Sequence, residues 1–109
     1  MILIVGGHAQ GMKEYAEERF GNGRVILDDI NSLIRETLES GEDPGQKLQV
    51  ILAANPDAVL ISELIGCGIV PMSPEERQLR DAVGRCQISL AKEAEEVIRV
   101  ICGIGQKIK

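Results

Sequence analysis

Residues 2–5 (Ile-Leu-Ile-Val) run straight into Gly6-Gly7, and this junction constrains the fold more than any other stretch of the chain. Consecutive apolar, mostly β-branched residues suit a strand buried on both faces, and paired glycines suit a tight turn directly after it. Such a strand needs helices above and below, and the following residues supply them. Residues 12–20 read as a short helix closed by Gly21-Asn22-Gly23, and 24–28 as a second strand. A helix follows at about 30–40, with Leu33, Ile34 and Leu38 on one face and Gly41 as its stop.

Asp43-Pro44-Gly45-Gln46 combines an N-cap, a proline at the first helical position and a glutamine three residues after the cap. That helix is expected to reach about Asn55, with Leu48, Ile51 and Leu52 inward, and 58–62 to form a third strand. Ser73-Pro74-Glu75-Glu76 opens another helix, whose Leu79, Val83, Cys86 and Leu90 make one continuous stripe. Residues 97–102 are read as the fourth strand, ahead of Gly103-Ile104-Gly105. The order β-α-β-α-α-β-α-β predicts a three-layer α/β domain with a small, mainly parallel sheet of about four strands. Residues 1–109 are read as one such domain.

Composition removes several function classes. Twelve Lys+Arg against seventeen Asp+Glu leave a net charge of −5, which repels polyanions, and no basic patch offsets it. Tyr15 and Phe20 are the only aromatics, so the stacking platforms of single-strand binders are missing too. No apolar run approaches the roughly 18–20 residues of a membrane span, and no signal peptide is visible. A cytoplasmic protein that binds neither nucleic acid nor membrane is expected. Cys67, Cys86 and Cys102 are odd in number and lack C-x-x-C spacing, so buried reduced thiols are expected.

In a parallel sheet, ligands gather at the carboxyl ends of the strands. That edge carries Gly6–Lys13, Asp28–Asp29, Glu63–Gly68 and Gly103–Gly105. The first loop is the sharpest motif: Gly6-Gly7-His8-Ala9-Gln10-Gly11-Met12-Lys13 has the glycine spacing and context of a P-loop. In a P-loop, backbone N–H groups wrap a phosphate, a lysine neutralises it and a hydroxyl binds Mg²⁺. Here Met12 stands at the lysine position and Lys13 at the Ser/Thr position. His8, the one histidine, is read either as a phosphate contact or nucleophile or as a solvated loop residue. Asp28 is read as a Mg²⁺-binding carboxylate or, with Asp29, as a helix cap; Glu63 is an acid, base or metal ligand, or simply solvated.

The carboxyl-terminal half carries a family resemblance. Gly66-Cys67-Gly68-Ile69-Val70-Pro71, Arg80-Asp81-x-x-Gly84-Arg85-x-Gln87-x-x-Leu90-Ala91, Glu96-Val97 and Gly103-Ile104-Gly105-x-Lys107-Ile108-Lys109 resemble the adenosylcobinamide kinase / adenosylcobinamide-phosphate guanylyltransferase family. The resemblance implies a P-loop-type fold, ATP or GTP with Mg²⁺, a place in cobalamin assembly or corrinoid salvage, and a homo-oligomer. It adds Gly66, Gly68 and Arg85 to the candidates, beside Glu63, which the family comparison makes either displaced by one position or lost. Departures accompany the matches. The family has Lys-Ser where Met12-Lys13 stand, and Asn-Glu where Glu63-Leu64 stand. Between the first helix and the Val25–Asp28 strand the family inserts a long segment bearing the histidine that takes up GMP; here only Gly21-Asn22-Gly23-Arg24 intervene. The resemblance therefore implies loss of guanylyl transfer through that histidine and a weakened kinase. The alternative is a noncatalytic binding or partner subunit with the fold alone.

Overall fold

The first apolar run lies at the centre of the sheet. In the computed structural model, which describes residues 1–65 and 73–109, the elements are β1 (Ile2–Gly6), α1 (Met12–Phe20), β2 (Ile26–Leu27), α2 (Ile30–Glu39), α3 (Pro44–Ala54), β3 (Val59–Glu63), α4 (Pro74–Glu93), β4 (Glu96–Ile101) and β5 (Ile104–Lys107). The sheet order is β2-β3-β1-β4-β5. β1 pairs in parallel with β3 and β4, and every residue of it is buried.

The chain passes from β1 across β3 to β2, then returns in the opposite direction. Right-handed crossovers therefore place α1 on one face and α2, α3 and α4 on the other. Side-chain alternation along β1 divides the core accordingly. Leu3 and Val5 pack with Ile30, Ile34, Leu48, Leu60, Val83 and Leu90 beneath α2–α4. Ile2 and Ile4 pack with Ala16, Val59, Ile61, Ile98 and Val100 beneath α1. The expected three-layer α/β architecture is the one observed.

Three local expectations need correction. Among the described residues the sheet has five strands, because Gly103-Ile104-Gly105 enters an antiparallel hairpin and is not simply a loop. Cys102 and Gly103 have φ of +51° and +76°, and Ile101 pairs with Ile104, as in a two-residue turn with positive φ at both central positions. That turn exposes Cys102, so the buried-thiol expectation holds for Cys86 and fails for Cys102; Cys67 lies outside the described residues. Burial, with a smaller contribution from Asp43, pushes the Cys86 thiol up and keeps it protonated. In α2 the fully buried side chains are Ile30, Ile34 and Thr37, while Leu33 and Leu38 are half-buried. Thr37 tolerates burial because its hydroxyl donates to the Leu33 carbonyl at 2.7 Å.

Candidate functional site

β1 and β3 are neighbours, yet the chain leaves them toward opposite faces, β1 into α1 and β3 toward α4. Adjacent strands with divergent exits open a crevice beyond their carboxyl ends, where ligands settle in open α/β sheets. The register pairs Gly6 with Glu63, so the glycine loop and Glu63 flank this crevice. The Leu64 N–H donates to the Gly6 carbonyl at 2.8 Å and carries the pairing up to its mouth.

The loop is shaped to leave donors free. Gly11, the N-cap of α1, adopts φ +83° and offers no side chain to the helix start. By contrast Asp29, Asp43 and Ser73 cap α2, α3 and α4 with side-chain oxygens. The N–H groups of residues 11–13, at the helix start, donate to no turn, loop or cap carbonyl among the described residues. Successive free N–H groups at a helix start attract an anion through both hydrogen bonding and the helix dipole. The loop is held open from behind: Gln10 Oε1 accepts from the Cys102 N–H and the Gln10 carbonyl from the Gly103 N–H, each at 2.8 Å. The β4–β5 turn is thus clamped to the loop.

The candidate residues separate in space. His8 and Glu63 come together: the imidazole is 88% exposed, with Nδ1 3.5 Å from Glu63 Oε1, and the Glu63 side chain is 39% exposed. Met12 is partly buried: it packs on the α1-side core and would touch any side chain placed at Gly6. Lys13 is exposed. Asp28 is exposed at the end of β2, with β3 interposed between it and β1, a separation of roughly 9–10 Å in strand spacing. Asp29 is a helix cap, accepting from Ser32 N–H and Oγ. Arg85 lines a different groove, with Leu38, Asp43 and Pro44. Gly66 and Gly68 lie outside the described residues.

Residue-by-residue reading missed a polar cluster next to Glu63. Ser62, 0% exposed, donates to Asn31 Oδ1 at 2.7 Å and accepts from Gln87 Nε2 at 2.9 Å. Both amides also donate to the Glu63 carbonyl, Asn31 at 2.8 Å and Gln87 at 3.1 Å. The available signal was a serine closing an otherwise apolar strand, since a buried hydroxyl requires partners.

Residues 8–108 match the family model described as cobinamide kinase / cobinamide phosphate guanyltransferase. The chain belongs to this family. It is 40% identical over 67 residues to the bifunctional adenosylcobalamin biosynthesis protein CobU of Salmonella typhimurium, covering 58% of this chain and 37% of the relative. With the protein of the same name in Escherichia coli it shares 49% identity over 51 residues, 47% of this chain and 28% of the relative. The matched region thus spans about a third of the length of these curated relatives.

Within this cobinamide kinase-type domain, the donor set suits a phosphate group and a hard divalent cation. Free N–H groups and an uncapped helix start match phosphate oxygens, and the Glu63 carboxylate beside them is an oxygen ligand of the type Mg²⁺ takes. Met12, directly after Gly11, packs on the α1-side core, and Lys13 beside it is exposed.

Proposed function

We propose that this chain binds a purine nucleotide or phosphate, ATP or GTP with Mg²⁺, in cobalamin assembly or corrinoid salvage, with weak or no phosphoryl transfer. The observation carrying the proposal is the uncapped start of α1 behind the glycine loop, where every other described helix has a side-chain cap. The pathway follows from the family and from the names of its curated relatives. Weak transfer follows from charge: phosphoryl transfer depends on cations placed against the phosphate, and Met12 supplies none. Glu63 is the carboxylate proposed to hold Mg²⁺, in preference to Asp28 beyond β3. A corrinoid is the proposed second ligand, by family alone.

Calorimetric titration of ATP and GTP, with and without Mg²⁺, tests this reading. Binding is expected without Mg²⁺ and to be tighter with it. Met12→Lys is expected to tighten it about tenfold, equal to about 1.4 kcal/mol, since a lysine stem can cover Gly6 while its ammonium reaches the loop. No binding by either protein would overturn the proposal. Efficient transfer of labelled phosphate to cobinamide by the wild type would overturn its noncatalytic side.

The same proposal includes a homo-oligomer. Ile88, Ile104 and Ile108 are exposed, and β5 is an open sheet edge. Light scattering at micromolar concentration is expected to give more than the 11.8 kDa protomer mass, and a monomer would count against it.

A further inference from the structure

We infer that Asn31 and Gln87 are positioning residues for Glu63: from two different helices they fix its carbonyl, and so aim its carboxylate at the glycine loop. The need for them arises from the sheet. Among the described residues β2 pairs only with Val59 and Leu60, and none places a strand on that side of β3 beyond Leu60. Val59 N–H donates toward β2, to the Val25 carbonyl, and Leu64 N–H donates toward β1. By the alternation of a β-strand, the Glu63 carbonyl points to the side that β2 leaves open. An unpaired carbonyl there would leave the last residue of β3 free to rotate.

The two amides replace the absent strand. Asn31, in the first turn of α2, and Gln87, in the C-terminal half of α4, converge on the Glu63 carbonyl at 2.8 and 3.1 Å. Each is itself locked by Ser62: Asn31 Oδ1 accepts from the serine hydroxyl, and the second Gln87 N–H donates to it. Ser62 points to the α2–α4 face, so Glu63, one residue on, points to the α1 face, where its Oε1 meets His8. The Ser62 hydroxyl both donates and accepts, and Gln87 Nε2 donates twice, so each partner restricts the geometry of the others. A cation at Glu63 would thereby be placed by residues that never touch it, as second-layer partners place metal ligands elsewhere.

This inference takes its purpose from the proposed phosphate site, but its geometry can be measured without a nucleotide. His8 is the only histidine, so its imidazole gives a single set of NMR signals. In the ligand-free protein, Glu63→Gln is expected to shift those signals. Gln87→Met and Asn31→Ala are each expected to shift them in the same direction, and Ser89→Ala, on the groove side of α4, is expected to leave them in place. Thermal unfolding is recorded in parallel. A lowered midpoint with His8 signals at their wild-type positions in both Gln87→Met and Asn31→Ala would make the amides merely structural and overturn the inference. The two variants are independent, so failure of one to fold leaves the other to decide.

A second arm measures nucleotide affinity with Mg²⁺ and with EDTA. Gln87→Met is expected to reduce the Mg²⁺-dependent gain by about tenfold while leaving affinity in EDTA unchanged. Retention of the full gain would overturn the positioning role. Absence of any nucleotide binding in the wild type would instead overturn the proposed function, with the His8 signals still deciding the positioning role.

Discussion

Gly11→Val is expected to weaken binding of Mg²⁺-ATP or Mg²⁺-GTP by about a hundredfold or more, equal to about 2.7 kcal/mol, as read by calorimetry. Two physical causes add. Gly11 sits at φ +83°, a conformation that a β-branched residue adopts only under strain of about 1–3 kcal/mol. A Cβ there would also stand 3.3 Å from the Gly103 Cα, backbone that Gln10 holds in place through two hydrogen bonds. The loop must shift to accept the side chain, and the free N–H groups shift with it. Gly41 provides the control: it has φ +81°, and a Cβ there meets nothing within 4 Å. Gly41→Val should therefore lose stability to a similar degree and keep its nucleotide affinity. Equal loss of affinity in both variants would show that strain anywhere weakens binding, and that the loop is not the site.

The layered fold was legible because its signals were local. Four apolar residues before Gly6, capping residues at Asp43 and Ser73, and the Val83/Cys86/Leu90 stripe each specify an element without reference to the remainder of the chain. β5 was illegible for the opposite reason. Its glycines weaken any strand signal, and its stability comes from pairing with β4 and from the contact of Gly105 with the Tyr15 ring. The site was legible only in part. The glycine loop announces itself by spacing, but the meeting of His8 with Glu63 depends on β3 lying next to β1, and no single-sequence pattern states strand order. Asp28 and Glu63 look equivalent as carboxylates near the ends of strands. Sheet order separates them, leaving Asp28 at the edge and Glu63 at the mouth of the crevice. Gln87 shows the same limit from another direction: its motif marks the resemblance, but only Ser62 and the open side of β3 give both its N–H groups a purpose.

Ile4→Ala is expected to cost about 2–5 kcal/mol, measured as a fall in the urea midpoint. That is a large share of the about 5–15 kcal/mol that holds a domain together. Ile4 is 0% exposed in the central strand, on the face that α1 covers. This face is the smaller of the two: α1 has nine residues, with Ala16 its one buried residue and Met12, Tyr15 and Phe20 packed at the margin. Ladders to β3 and β4 fix β1 on both sides, so the strand cannot collapse into the cavity that the lost side-chain atoms leave. Ile104→Ala, in the exposed hairpin, is expected to change stability by no more than about 0.5 kcal/mol. The contrast bears on the site as well as the fold. α1 presents the uncapped N-terminus to the crevice, and the contacts around Ile4 are what seat α1 on the sheet. Ile4→Ala should therefore also speed amide exchange in residues 12–20 more than in α4, whose seat is the opposite face. Equal urea midpoints for Ile4→Ala and Ile104→Ala would mean that the α1 face contributes no core, and the helix start would then be too loosely held to serve as a preformed anion site.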